Sequence, residues 1–268
     1  MRRSRLVVIL SSIVLAVGSA LTGATVAQGA ETAAATGYVA LGDSYSSGVG
    51  AGSYISSSGD CKRSTKAHPY LWAAANSPSS FNFTACSGAR TDEVLASQMG
   101  PLGASTGLVS ISIGGNDAGF ADVMTTCVLE SDSSCVSRIN TARAYVNSTL
   151  PGKLDTVYTA IRNRAPSAHV VVLGYPRFYQ LGQSCLGLSE TKRKAVNDAS
   201  DLLNSAIAKR AANHGFTFGD VRTTFTGHEI CSGSSWLHSV NWLNIGESYH
   251  PTANGQSGGY LPVLNSAA

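Results

Sequence analysis

Short apolar runs of strand length recur along the chain, each ended by glycine or by a polar cluster. Tyr38-Val39-Ala40-Leu41 stops at Gly42, and Phe81-Asn82-Phe83-Thr84 follows. Leu108 to Ile113 stops at Gly114-Gly115, His169-Val170-Val171-Val172-Leu173 stops at Gly174, and Phe216 to Val221 comes last. Helical patterns lie between these runs. The longest spans Glu190 to Asn213: Ser189 is placed to cap it, Ala195, Ala199, Leu202, Leu203, Ala206 and Ile207 recur at helical spacing, and Gly215 lies just past its end. A second, Lys153 to Arg164, carries Leu154, Val157 and Ile161 on one face and stops before Pro166. Another opens at His68-Pro69. Strands that alternate with helices predict an α/β chain: a mostly parallel sheet of about five strands with helices on both faces, a three-layer α/β/α sandwich. The Ser/Gly-rich stretch from Gly50 to Gly59 reads as a surface loop, and no interdomain linker or internal repeat interrupts the chain.

The first 35 residues follow another pattern. Arg2, Arg3 and Arg5 precede an apolar run from Leu6 to Val17, and small residues follow through Ala24, Ala27, Ala30 and Ala33-Ala34-Ala35. This is the layout of a secretory signal peptide with cleavage near Ala35. A membrane span needs about 20 continuous apolar residues, and Ser11, Ser12, Gly18 and Ser19 interrupt the run. The expectation is a secreted, extracellular protein whose residues 36–268 form one catalytic domain. Those 35 residues hold three of the 19 basic groups and one of the 16 acidic ones, so the remainder carries a formal charge of +1. Such a balance offers no patch for nucleic acid and no charge run for a membrane surface. All six cysteines, Cys61, Cys86, Cys127, Cys135, Cys185 and Cys231, follow the leader, which in an exported chain reads as three disulfides. Fifteen connectivities are possible; pairing of neighbours in order is favoured, and the middle pair then staples the Ser/Asp-rich loop Glu130 to Ser134.

Chemistry concentrates behind the strands. In an open parallel sheet, ligands bind beyond the carboxyl ends of the strands. Gly42-Asp43-Ser44-Tyr45-Ser46 follows the first run, Cys86-Ser87-Gly88-Ala89-Arg90 the second, and Gly114-Gly115-Asn116-Asp117 the third. Ser44, in a tight strand-to-helix turn, is the candidate nucleophile, and a serine hydroxyl needs a base to take its proton. The backbone N–H groups of Ser44 and Gly88 and the side-chain amide of Asn116 are candidate donors for an oxyanion. The base follows by elimination. His169 starts a strand, His214 ends a helix, His68 opens one, and His228 and His238 flank Cys231 without a partner pattern; His250 stands before Pro251 in a loop near the C-terminus.

Singly these signals are weak, and together they carry a resemblance. Gly42-Asp43-Ser44-Tyr45-Ser46-Ser47-Gly48, Gly88, Gly115-Asn116-Asp117 and His250-Pro251 resemble the blocks of the GDSL, or SGNH, hydrolases, in detail the extracellular lipases and esterases of actinomycetes with their three disulfides. The four namesake residues would be Ser44, Gly88, Asn116 and His250. The resemblance implies a flavodoxin-like sheet, no metal, no cofactor and a cleft acting on acyl esters. Many members carry an aspartate three residues before the histidine. Here Glu247 stands there, one methylene longer, and related secreted enzymes imply a backbone carbonyl instead, by position that of Ser248. Glu247 and the Ser248 carbonyl both stay open as the group that orients His250.

Asp43 and Asp117 read as turn residues rather than acid/base carboxylates. His228-Glu229 lacks the second histidine of a zinc protease motif, and Trp72, Trp236 and Trp242 read as core or rim. The function expected is hydrolysis of acyl esters through an acyl-enzyme on Ser44. The alternatives are a non-catalytic secreted binding module on the same fold, a phospholipase or acetyl-sugar esterase of the same chemistry, or a peptidase. Expected partners are an acyl ester or lipid substrate, with no nucleic acid, no stable membrane anchor and a monomeric state.

Overall fold

Tyr38, Val39, Ala40 and Leu41 are all buried in β1 (Gly37–Gly42), which lies in the middle of the sheet with both faces covered. That is why its sequence is continuously apolar rather than alternating. In the computed structural model, which describes residues 36–268, four more strands join it: β2 (Phe81–Phe83), β3 (Thr106–Ser112), β4 (His169–Leu173) and β5 (Thr217–Gly219). All pairings are parallel and the order is β2-β1-β3-β4-β5. The leader expected over residues 1–35 lies outside the described residues. β5 is shorter than the apolar run suggests. The chain leaves the sheet edge at Asp220, whose carboxylate turns back to accept the Arg222 N–H at 3.0 Å.

The helices are α1 (Ser44–Ser47), α2 (His68–Asn76), α3 (Thr91–Glu93), α4 (Phe120–Leu129), α5 (Asp132–Ser148), α6 (Leu150–Arg164), α7 (Glu190–Asn213) and α8 (Leu261–Ala267). α2 and α8 pack on each other at one face of the sheet; α3, α6, α7 and α5 form a contiguous layer on the other. The three-layer α/β/α architecture is the one expected. α7 has the expected limits, with the Ser189 hydroxyl accepting the Lys192 N–H. α6 starts three residues earlier than its apolar spacing indicates, because Pro151 is tolerated in a first turn.

Two local expectations are corrected. The Glu130 to Ser134 stretch is spanned by the expected Cys127–Cys135 bond but is not all loop: Ser131 caps α5 by accepting the Ser134 N–H at 3.1 Å, and Asp132 onwards is helical. Its small polar residues are those a helix start prefers. The disulfides are Cys61–Cys86, Cys127–Cys135 and Cys185–Cys231, and the second joins α4 to α5. Second, the start of the Gly50–Gly59 stretch is not on the surface, since Gly50 and Ala51 are buried.

The deepest stripe of α7 is also not the alanine-rich one. Asn197, Ser200 and Asn204 are buried on it and hold the backbone of the loop that leaves β4. Asn204 accepts the Tyr175 N–H at 2.8 Å and donates to the Tyr175 carbonyl at 2.7 Å. Ser200 donates to the Pro176 carbonyl, and Asn197 serves the Phe178 and Tyr179 amides and the Tyr179 carbonyl. A buried backbone group left without a partner costs about 1–3 kcal/mol. Asn204→Ala orphans two at once. We expect it to lower unfolding stability by about 2–5 kcal/mol in urea melts followed by circular dichroism; a loss under about 1 kcal/mol would mean that water reaches this loop.

Candidate active site

Gly42 closes β1 with φ +122°, a conformation open to glycine, and a β-carbon there would strike the Ser112 carbonyl and the Ser46 hydroxyl. Asp43 comes next and caps α1 by accepting the Tyr45 N–H at 3.0 Å. Ser44 is therefore the first residue of a helix, standing at the carboxyl edge of the sheet. Gln98 clamps the turn from the side, accepting from the Gly42 N–H at 2.7 Å and donating to its carbonyl at 2.9 Å.

The Ser44 Oγ lies 2.7 Å from His250 Nε2. His250 Nδ1 lies 3.0 Å from the Ser248 carbonyl, which can only accept, so Nδ1 carries the proton and Nε2 offers its lone pair to the hydroxyl. Glu247 turns elsewhere: its carboxylate accepts from the Tyr54 hydroxyl at 2.8 Å on the exposed side of the loop. The loop itself is braced at every residue. Tyr249 holds φ +66°, its carbonyl accepts from the Tyr45 hydroxyl at 2.7 Å, and its N–H donates to the His238 carbonyl at 2.9 Å. His238 in turn donates its N–H to the His250 carbonyl, and its ring Nε2 lies 2.8 Å from the Gly50 carbonyl. The other histidines are engaged away from Ser44: His68 with Gln256, His169 with the Ala267 carbonyl, His214 with Asp155 and His228 with the Ser234 carbonyl.

Gly88 and Asn116 line the same cavity as Ser44 and His250. A β-carbon on Gly88 would meet nothing within 4 Å, so clearance is not the reason for glycine there. The backbone is, at φ +79°. Among the described residues, neither the Gly88 nor the Ser44 N–H has a protein acceptor. Asn116 donates one side-chain N–H to the Ala89 carbonyl at 3.0 Å, which fixes the amide and leaves its second N–H available. Asp117 is a tie between segments: its carboxylate accepts the Thr91 hydroxyl at 2.6 Å and the Thr91 N–H.

The sequence reading missed the organising group, Asp43. Its carboxylate is buried and also accepts from Ser112 Oγ at 2.9 Å and the Tyr175 hydroxyl at 2.5 Å, while that hydroxyl accepts the Gly115 N–H at 3.2 Å. Burial pushes the Asp43 carboxyl up to about 6 against the pull of those donors.

The cavity holds about 520 Å³. Away from the polar end its walls are Met124, Ile139, Phe178 and Leu203, from α4, α5, the loop after β4, and α7. Three of its lining residues, Leu129, Trp242 and Ile245, are exposed to solvent.

The Ser44 hydroxyl thus faces an imidazole nitrogen at the carboxyl edge of a parallel sheet, with N–H groups beside it that have no protein acceptor. The chain belongs to the GDSL-like lipase/acylhydrolase family, whose model matches residues 40–257. It is 80% identical to Lipase 1 of Streptomyces coelicolor over 268 residues, the whole of both chains. It is 65% identical, again over all of both chains, to a lipase of Streptomyces rimosus. Among solved structures, phospholipase A1 from Streptomyces albidoflavus superposes with a TM-score of 0.87 at 70% identity, covering 88% of this chain and 100% of that one. The extracellular lipase of Streptomyces rimosus gives 0.85 at 68%, over 87% and 100%. An acetylxylan esterase from Geobacillus stearothermophilus, at 13% identity and a TM-score of 0.54, shares the fold. No helix among the described residues is long and apolar enough to cross a membrane.

Burial lowers the His250 pKa to about 4; the Ser248 carbonyl acts against this, while His238 and Lys62 add to it. A base must be neutral to accept a proton, so if His250 is the base the acid limb of kcat/KM reports it. With the pKa lowered, the neutral form persists as pH falls below 6.5. We expect the limb to lie well under 6.5, at about 4, in a kcat/KM profile on a soluble ester. A limb at or above 6.5 would show that the pKa of this half-buried ring is not lowered.

Proposed function

We propose that this protein is a secreted acyl-ester hydrolase of the lipase and phospholipase type, in which Ser44 is the nucleophile and His250 the general base. The observation that carries the reading is the line from the Ser44 hydroxyl through His250 to the Ser248 carbonyl, at 2.7 and 3.0 Å. Nε2 takes the Ser44 proton as Oγ attacks the acyl carbonyl. The developing oxyanion meets the N–H groups of Ser44 and Gly88 and the free N–H of Asn116. Collapse of the tetrahedral adduct expels the alcohol, which recovers the proton from His250, and leaves an ester on Ser44. A water, deprotonated by His250, then attacks the acyl carbonyl; the second adduct collapses by breaking the bond to Ser44 Oγ, which recovers the proton from Nε2 as the fatty acid leaves. The Ser248 carbonyl keeps the proton on Nδ1 throughout. No cofactor or metal enters any step.

An apolar cavity of about 520 Å³ suits a long acyl chain better than an acetyl group, which favours lipase and phospholipase over acetyl-sugar esterase chemistry. The names of the relatives, lipase and phospholipase A1, point the same way. Export rests on the leader pattern of residues 1–35 and on three disulfides, with residues 36–268 acting as a monomeric catalytic domain.

Ser44→Ala is expected to remove about 10⁶-fold of kcat on p-nitrophenyl esters and all labelling by a fluorophosphonate, with unchanged circular dichroism. Retention of activity within about tenfold would sink the assignment. A profile from acetyl to long-chain esters should rise with chain length; a maximum at acetate would favour the acetyl-sugar reading.

Glu247 tests the orienting group. If its carboxylate were the third catalytic member, conversion to the amide would drop kcat by roughly 10⁴. Because it faces Tyr54, Glu247→Gln and Glu247→Ala are expected to cost only a few-fold beside His250→Ala. A fall approaching that of His250→Ala would make the site a Ser44–His250–Glu247 triad.

A further inference from the structure

Large apolar side chains left in water are ordinary when scattered and informative when gathered. Here they are gathered. Leu243 is 100% exposed, Trp242 69%, Leu129 67% and Ile245 62%. Leu129, Trp242 and Ile245 line the one cavity that holds Ser44 and His250, and Leu243 adjoins Trp242. Leu129, at the end of α4, and the segment from Trp242 to Ile245 are thus two exposed apolar borders, or lips, of the cavity.

That second lip is built rather than loose. The Asn241 N–H donates to Ser248 Oγ at 2.8 Å across the base of the loop, and the Asn241 side chain accepts the Leu243 and Asn244 N–H groups. The Glu247 carboxylate is tethered to Tyr54 beside it. The loop from Asn241 to Gly246 carries no charge, only two asparagine amides and its apolar side chains. Nothing within the described fold covers these groups.

We infer that the lips around the cavity mouth, with Leu243 at their outermost point, dock the enzyme onto the surface of a lipid bilayer or droplet. The occupant is a lipid surface because the patch is continuous with the apolar cavity: an acyl chain leaving the surface passes between Leu129 and Trp242 without crossing water. Tryptophan, apolar with one polar edge, suits the boundary between headgroups and chains, as do the asparagine amides. A second copy of the chain seated there would plug the site. The uncharged loop makes the attachment apolar, so it differs from binding through basic residues in being insensitive to salt. The inference rests on the lipase and phospholipase reading above.

The test uses Ser44→Ala protein, which cannot digest the probe, on phosphatidylcholine vesicles, with and without Leu243→Glu. Leu243 lines neither the cavity nor the reacting groups. Removing one apolar anchor and adding a charge is expected to weaken co-sedimentation by roughly 10- to 100-fold. Binding of the parent should be the same at low and high salt. In the Ser44 protein, Leu243→Glu should leave kcat/KM on a soluble short-chain ester unchanged and lower the rate on vesicles. Equal co-sedimentation with and without Leu243→Glu would overturn the docking surface, as would binding that salt abolishes. So would concentration-dependent dimers in ultracentrifugation that Leu243→Glu dissolves, since the face would then be a self-association surface. The soluble ester separates the two claims: activity there without vesicle binding refutes docking alone, while no activity on any ester refutes the hydrolase reading.

Discussion

The structure depends on one buried carboxylate. Asp43 accepts hydrogen bonds from the Tyr45 N–H, the Ser112 hydroxyl and the Tyr175 hydroxyl, so the ends of β1, β3 and β4 are tied at a single point. These are the edges from which the serine turn, the Gly115-Asn116 turn and the loop held by α7 depart. Burying a charge without partners is very costly, and hydrogen bonds to a charged group contribute about 1.5–3 kcal/mol each. The three strand ends must therefore keep their positions for Asp43 to remain satisfied, and the same positions bring Ser44 and Asn116 to one cavity. Packing alone would leave the turns free to slide, because apolar contacts have no direction.

This explains what could be read in the chain and what could not. All five strands and α7 announce themselves through local pattern, since their apolar runs and caps lie within one segment; only the last strand falls well short of its run. Ser44, Gly88 and Asn116 stood out as candidates because each sits in a short motif behind a strand, and His250 by elimination among the histidines; the fold brings all four to one cavity. Asp43 was legible only as a turn residue: its cap to Tyr45 is two residues away, whereas Tyr175 is 132 residues away. Gln98, Gln256 and Asn204 are hidden for the same reason, as their partners Gly42, Tyr45 and Tyr175 belong to other elements. The start of α5 was misread because serine and aspartate favour both loops and helix caps, and only the observed bond from Ser134 to Ser131 separates the two.

The histidine loop shows how much of the fold goes into one orientation. Tyr249 holds a left-handed backbone that costs a non-glycine residue of order 1–3 kcal/mol and that persists only where the surroundings over-determine it. Here Tyr45, Tyr179 and the His238 backbone all hold it. Its consequence is geometric: the chain reverses between Ser248 and His250, so the Ser248 carbonyl returns to the ring of the residue two places on.

A carbonyl in that position has a physical advantage over the glutamate beside it. A carboxylate would stabilise an imidazolium more strongly, yet it would raise the pKa of a ring that desolvation lowers to about 4, and it would need donors of its own once shut away from water. The site already supports one buried carboxylate, and three donors from three strand ends are required to satisfy Asp43. Beside His250 no such set is available: the ring offers one N–H, and the Tyr54 hydroxyl reaches Glu247 only on the exposed side of the loop. The carbonyl is half of a peptide group that is present in any case. It accepts the Nδ1 proton, sets the tautomer and adds no second charge to the interior, leaving Glu247 to brace the loop from outside.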